Sequence, residues 1–166
     1  MNKLKYLGHS IVFQEVPDEV SLAFNISGCP YKCKGCHSEY LWEYEGDYIS
    51  DDIEKLLEEY FSYITCVCFM GGNQNPDELF KLLEMVKKYN LKTCVYIGAK
   101  DIPNEKWIEL CDYLKIGAYK KEFGGLNSKT TNQKFYKAYN NPDCKIFEDI
   151  TYLFQKESKY EENKNY

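Results

Sequence analysis

Three cysteines fall within eight residues, at Cys29, Cys33 and Cys36, in the run Gly28-Cys29-Pro30-Tyr31-Lys32-Cys33-Lys34-Gly35-Cys36-His37. The spacing is C-x3-C-x2-C. Thiolates are soft ligands suited to zinc and to iron–sulfur clusters. Gly28, Pro30 and Gly35 interrupt regular structure, so the loop can curl until the three sulfurs converge. Three is the informative number, because a structural zinc ion or an electron-transfer cluster normally takes four protein ligands. Three cysteines on a 4Fe–4S cluster leave one iron open to a small molecule. An amino group and a carboxylate together could chelate that iron, and the methionine end of S-adenosylmethionine carries both.

Other readings of the same residues compete. Cys33-Lys34-Gly35-Cys36-His37 also matches C-x-x-C-H, the attachment site of c-type haem. That chemistry needs an exported chain and leaves Cys29 unused. Zinc would require His37 or a remote cysteine as a fourth ligand. The remaining cysteines, at 66, 68, 94, 111 and 144, read as ordinary thiols. Cys66 and Cys68 alternate on one strand and share a face, Cys94 lies on another strand, and Cys111 lies on a helix. A free cysteine in such a place behaves as a small buried hydrophobe. Cys144 falls in a loop.

The elements around the motif alternate. Val20 to Ser27 is an apolar strand. Ile11 to Val16 forms another, joined to it by a turn at Pro17-Asp18. Ser50 to Ile64 is a helix capped by Ser50, with Asp51 and Asp52 at the positive end of its dipole. Its stripe is Ile53, Leu56, Leu57, Tyr60, Phe61 and Ile64. Cys66 to Met70 is a strand. Pro76 to Tyr89 is a helix with Leu79, Leu82, Leu83 and Val86 on one side. Thr93 to Ile97 is a strand, Asn104 to Tyr113 a helix, and Leu114 to Gly117 a further strand. This alternation predicts an α/β fold, an open, partial β/α barrel with a mostly parallel sheet. Its site should sit at the carboxyl ends of the strands. One domain is expected over residues 1–154, followed by a polar tail at 155–166.

Composition narrows the function class. The chain has 166 residues, enough for a core without disulfides. Its net charge of −5 argues against a polyanion binder, so no nucleic-acid partner is expected. Lys115, Lys120 and Lys121 form a local basic patch that reads as a solvated edge. No apolar run approaches a membrane span, and no signal-peptide pattern opens the sequence, so a cytoplasmic protein with no membrane partner is expected. In a reducing compartment, clustered cysteines point to a metal site or catalysis sooner than to disulfides.

A second motif, Phe69-Met70-Gly71-Gly72-Asn73, ends an apolar strand just before a helix. Two glycines there let the backbone approach a ligand and expose its amides. Together with C-x3-C-x2-C after the preceding strand, this arrangement resembles the radical S-adenosylmethionine superfamily. The closer resemblance is to the anaerobic ribonucleoside-triphosphate reductase activating proteins. It extends through Trp42 and the stretch from Gly117-Ala118-Tyr119 to Thr130-Thr131-Asn132-Gln133, and covers roughly Tyr6 to Tyr139.

The resemblance implies that Cys29, Cys33 and Cys36 hold a 4Fe–4S cluster. It also implies that Gly35, Cys36, His37, Gly71, Gly72 and Asn73 contact S-adenosylmethionine. The family carries an acid after the two glycines. Asn73 stands there instead, and its carbonyl can still accept a hydrogen bond from the methionine ammonium, though without charge assistance. The implied activity is reductive cleavage of S-adenosylmethionine to a 5′-deoxyadenosyl radical, which generates a glycyl radical on a large anaerobic ribonucleotide reductase. A flavodoxin or ferredoxin would serve as one-electron donor. No general acid or base is required, and none is assigned to His9 or His37. Activation of another glycyl-radical enzyme, radical chemistry on a small molecule, and a non-catalytic zinc-binding interaction module are the alternative functions.

Overall fold

The computed structural model describes residues 2–155. The tail expected at 155–166 lies outside the described residues except for Gln155, whose side-chain amide donates to the Ser128 carbonyl at 3.0 Å. Eight strands form one open sheet: β1 (Lys5–Val12), β2 (Ser21–Ile26), β3 (Asp47–Tyr48), β4 (Cys66–Met70), β5 (Lys92–Tyr96), β6 (Tyr113–Ile116), β7 (Lys134–Asn140) and β8 (Lys145–Asp149). Their order is β3-β1-β2-β4-β5-β6-β7-β8. The middle pairs β2–β4, β4–β5 and β5–β6 are parallel. The flanking pairs β1–β2, β1–β3, β6–β7 and β7–β8 are antiparallel.

The fold is therefore mixed α/β, and the expectation of a mostly parallel sheet is corrected. The helical crossovers at the centre were visible in the sequence, but β1 and β3 at one end and β7 and β8 at the other add antiparallel pairs. Both edges are poor templates for further pairing, since β3 has two residues and β8 carries Lys145, Glu148 and Asp149.

Two helices cover one face. Helix α1 (Ile49–Tyr60) starts with Tyr48 as its N-cap, so the expected Ser50 cap is corrected: Ser50 sits inside the first turn and donates to Asp51 at 3.3 Å. Asp51 and Asp52 lie in that turn as expected, and Asp52 accepts from the Tyr6 hydroxyl at 3.0 Å. Burial and the neighbouring Asp52 carboxylate push the Tyr6 phenol up to about 12. Helix α2 (Pro76–Lys88) is capped by Asn75, whose Oδ1 accepts from the Glu78 amide at 3.2 Å. The stripes Ile53, Leu56, Leu57 and Leu79, Leu82, Leu83, Val86 are buried against Leu22, Phe24, Val67, Phe69, Val95 and Leu114. Phe61, expected in the first stripe, is instead exposed beside the Tyr89 ring. The helix expected at Asn104–Tyr113 is a 3-10 turn over Lys106–Leu110, after which the chain is already extending into β6.

The opposite face packs a separate cluster: Val16, Ala23, Cys66, Cys68, Cys94, Tyr113, Phe135 and Ile150. Cys66 and Cys68 do share a face. The segment after β1 folds over it through a turn in which the Glu19 amide donates to the Val16 carbonyl at 3.2 Å. Glu19 is buried, ion-pairs with Lys92, and accepts from the Tyr113 hydroxyl at 2.8 Å. Burial alone would raise its carboxyl pKa, but hydrogen bonds from Lys92, Thr65 and Tyr113 win, and it is held below the ordinary range.

A group depressed in this way contributes stability above its unfolded pKa and loses it as pH falls through its folded pKa. Glu19→Gln should cost about 1–3 kcal/mol at pH 7. The difference from the wild type should shrink as urea melts are taken from pH 7 to below about pH 4. A difference independent of pH would show that the charge of Glu19 contributes nothing.

Candidate functional site

The chain leaves β2 at Ile26 and enters the cysteine loop through Ser27 and Gly28. Gly28 adopts φ +73°, and its amide donates to the Glu43 carbonyl at 3.0 Å. The Cys29 amide donates to the Leu41 carbonyl at 2.9 Å, so the start of the loop is zipped to its own return segment. Lys32, at φ +42°, and Gly35, at φ +76°, turn the chain between the cysteines. The Cys36 amide donates to the Cys33 carbonyl at 3.1 Å, and the Ser38 amide reaches Cys36 Sγ at 3.4 Å. All three thiols are half-buried.

Cys29, Cys33 and Cys36 line one cavity of about 300 Å³, a size within the range of small-molecule sites. It lies at the carboxyl ends of the parallel strands, where α/β sheets place ligands. Met70, Gly71 and Asn73 enter it after β4, Tyr96 and Gly98 at the end of β5, and Lys115 and Gly117 from β6. His37 and Trp42 complete the wall on the side of the cysteine loop, and Tyr119, Leu126 and Gln133 close the far side.

Of the residues singled out in the sequence, Cys29, Cys33, Cys36, His37, Gly71 and Asn73 share this cavity, whereas Gly35 and Gly72 do not line it. Their amides are also committed. Gly35 donates to Glu39 at 3.2 Å, Gly72 to Gln74 at 3.1 Å, and Gly71 to the Tyr96 carbonyl at 2.9 Å. The glycine pair is thus required by its conformation and packing, not as a free pair of donors. Gly71 and Gly72 adopt φ +114° and +111°, and a Cβ on Gly72 would press within 3.2 Å of Leu79. The stretch from Gly117 to Gln133 closes as a clasp. Gln133 donates to the Gly117 carbonyl at 3.3 Å and Asn132 to the Ala118 carbonyl at 2.9 Å.

Lys115 is the residue that sequence reasoning misplaced. It is no solvated edge: it lines the cavity and donates to the Gly117 carbonyl at 2.7 Å. Burial lowers its ammonium pKa to about 8, against the pull of the three cysteines. Its alternation with Leu114 and Ile116, which face the helices, was the available signal. Among the described residues no carboxylate lines the cavity.

The donor set fits a 4Fe–4S cluster. Each thiolate of a cluster binds its own iron, so the sulfurs can stand apart. A single zinc ion would draw them to within about 4 Å of one another, given a Zn–S distance near 2.3 Å. Among the described residues no group of three or more His, Cys, Asp or Glu side chains, the three thiols of the loop included, is gathered as a metal ion would require. Cys66, Cys68 and Cys94 are fully buried on the inner sheet face and do not line the cavity. Burial holds the Cys66 and Cys94 thiols well above their ordinary range, and pushes Cys111 up to about 12. Cys144 is exposed and does not line the cavity. No helix among the described residues is long and apolar enough to cross a membrane.

No curated protein and no solved structure gives a match to this sequence. The model of the 4Fe-4S single cluster domain family matches residues 20–141, most of the chain and all of the cavity. A cysteine loop made for soft metal ligation, opening on one cavity within that matched span, is what such a domain requires, and the chain belongs to the 4Fe-4S single cluster domain family.

Proposed function

We propose that this protein is a radical S-adenosylmethionine activating enzyme that raises a glycyl radical on an anaerobic ribonucleoside-triphosphate reductase, with Cys29, Cys33 and Cys36 as ligands of its 4Fe–4S cluster. One observation carries the reading: three thiols, and no fourth cysteine, line a ligand-sized cavity at the carboxyl ends of the parallel strands. That donor set would leave one iron of a bound cluster for an exchangeable ligand. The chemistry supplied by a bound cluster, reduced by a flavodoxin or ferredoxin, is one-electron cleavage of the S–C5′ bond of S-adenosylmethionine, giving methionine and a 5′-deoxyadenosyl radical that takes a hydrogen atom from a partner glycine.

The chain's own residues bind, orient and exclude water. Among the described residues Lys115 is the one lysine or arginine lining the cavity, and its ammonium suits the carboxylate of the methionine group. Asn73 offers a carbonyl oxygen to the ammonium. Ile26, Met70, Trp42 and Leu126 supply apolar walls that keep water from a reactive radical. Tyr96, whose hydroxyl donates to the Glu15 carbonyl, braces the floor beneath Lys115, with its ring centroid 6.0 Å from the ammonium.

Cys33→Ala should abolish both the iron content and the dithionite-reduced EPR signal of protein purified without oxygen. Cys68→Ala should preserve both. An intact cluster in Cys33→Ala would remove the loop from the ligand set. In the wild type the EPR signal should change on addition of S-adenosylmethionine. A signal indifferent to it would leave an iron–sulfur protein of another kind.

Lys115→Met should retain the cluster while weakening S-adenosylmethionine binding by about 10- to 100-fold, the loss expected for one charge-assisted contact. Unchanged affinity in equilibrium dialysis would free Lys115 of this role.

A further inference from the structure

Two glutamine amides line the cavity, and they differ in what they have left to offer. Gln74 is spent at both ends: its Nε2 donates to the Ser27 carbonyl at 2.9 Å, and its Oε1 accepts from the Gly72 amide at 3.1 Å. Gln133 is spent at one end. Its Nε2 donates to the Gly117 carbonyl at 3.3 Å, and no donor among the described residues reaches its Oε1.

The orientation of this amide is fixed by its partner. A backbone carbonyl carries no proton, so only the nitrogen end of an amide can bond to it. Turning the amide over would set two acceptor oxygens against each other. Gln133 therefore presents its oxygen away from Gly117. That oxygen lies 4.0 Å from the place a Cβ on Gly125 would take, and Gly125 lines the same cavity.

The root of the side chain is held as firmly. Gln133 stands where β7 begins, beside the carboxyl end of β6, because Lys134 after it pairs with Ile116. Gly117 adopts φ +97°, and a Cβ there would come within 2.9 Å of the Gln133 Cα. Gln133 is 7% exposed, so its unpaired acceptor is held where little water reaches it, a state that a ligand donor would relieve. Its neighbour Asn132 makes a similar bond to the Ala118 carbonyl, but Asn132 does not line the cavity and its Oδ1 is buried. Of the two free amide oxygens, a ligand in the cavity meets that of Gln133.

The proposed ligand divides the cavity between its two ends. Its amino and carboxylate groups belong at the open iron and at Lys115. Its nucleoside must then extend toward the far side, where Tyr119 and Leu126 offer flat and apolar surface and Gln133 offers an acceptor. An adenine nucleoside brings hydrogen-bond donors there: the 6-amino group of the base and the two ribose hydroxyls.

We propose that Gln133 reads the nucleoside of S-adenosylmethionine: its Oε1, aimed by the bond from Nε2 to Gly117, accepts a hydrogen bond from one of these donors. The inference rests on the cofactor reading of this same cavity. It predicts that the energetic cost of losing Gln133 and the cost of losing one particular donor of the ligand are the same cost.

The test is a set of double cycles between residue and ligand on cluster-loaded, oxygen-free protein. Dissociation constants are measured by equilibrium dialysis for the wild type and Gln133→Met, with S-adenosylmethionine and with three analogues that lack the 6-amino group, the 2′-hydroxyl and the 3′-hydroxyl in turn. Iron content serves as the check on loading. Gln133→Met should weaken S-adenosylmethionine binding about tenfold, the loss expected for one buried partner. One analogue should bind the wild type about tenfold more weakly than S-adenosylmethionine does, yet bind Gln133→Met within about twofold of it, the non-additivity of a direct contact. Coupling to the 6-amino group assigns the contact to the base, and coupling to a hydroxyl assigns it to the ribose. If Gln133→Met fails to load iron, Gly125→Ala, whose methyl would stand 4.0 Å from Oε1, goes through the same cycles with the same expectation. Additive losses for all three analogues would overturn the inference and make Gln133 a brace for the Gly117 turn, with the cofactor reading untouched. A loaded wild type that binds no S-adenosylmethionine would overturn the cofactor reading and this inference together.

Discussion

The site depends on the hydrogen bonds gathered at one buried serine. Ser27 has no exposed surface. Its amide donates to the Lys5 carbonyl at 2.9 Å, and its hydroxyl donates to the Glu45 carbonyl at 2.5 Å. The same hydroxyl accepts from the Glu45 amide at 3.2 Å, and the Ser27 carbonyl accepts from Gln74 at 2.9 Å. These partners belong to β1, to the return of the cysteine loop, and to the loop after β4. A buried polar residue is costly unless its groups are paired, so this arrangement tolerates little displacement of any of the three segments. Cys29 follows two residues later. Gln74 also accepts from the Gly72 amide, so the same network reaches the glycine turn that presents Asn73. The spacing between the thiols and Asn73 is therefore set through hydrogen bonds of the Ser27 and Gln74 side chains.

Strand register explains what the cavity rests on. Ala23, Cys68, Cys94 and Tyr113 pair in one row across β2, β4, β5 and β6. Two residues further along, Asn25, Met70, Tyr96, Lys115 and Phe135 pair in the next. Alternation puts both rows on the face away from the helices. The first row is small at its centre and fully covered, so its thiols act as packing atoms. The second row meets the loops, and its long side chains at Met70, Tyr96 and Lys115 reach the cavity. A lysine one residue earlier or later on β6 would face the helices instead.

The legible parts of the fold were those with a strong local period. The stripes of α1 and α2 and the apolar run Cys66–Met70 identify themselves, and Pro76 after Asn75 marks a helix start. The strands β7 and β8 did not stand out because most of their residues are only partly covered, with Tyr139 and Ile146 exposed, so no clean alternation survives. Without them the sheet looked mostly parallel. In the site, the cysteine motif was legible because its chemistry is carried by residue type and spacing alone. The placement of Lys115 and Tyr31 was not, since each depends on a neighbour distant in sequence: Tyr96 beneath one, Asn73 and Gly98 beside the other.

The charge balance of the cavity gives the amide at position 73 a physical logic on the proposed reading. Three thiolates and their cluster would bring negative charge into a partly dry space, and among the described residues Lys115 is the one lysine or arginine lining it. A carboxylate beside them would add a further anion that must be desolvated whenever the cofactor is absent, a costly state in a low-dielectric cavity. Asn73 avoids that cost but loses charge assistance toward the ammonium and gains an orientation that has to be set. The Tyr31 hydroxyl accepts from its Nδ2 at 2.8 Å, and Gly98 leaves room for that ring. Substituting the acid with an amide thus gives up electrostatic attraction for a neutral side chain, and the hydrogen-bond partner of that side chain lies in the same ten-residue loop that carries the thiols.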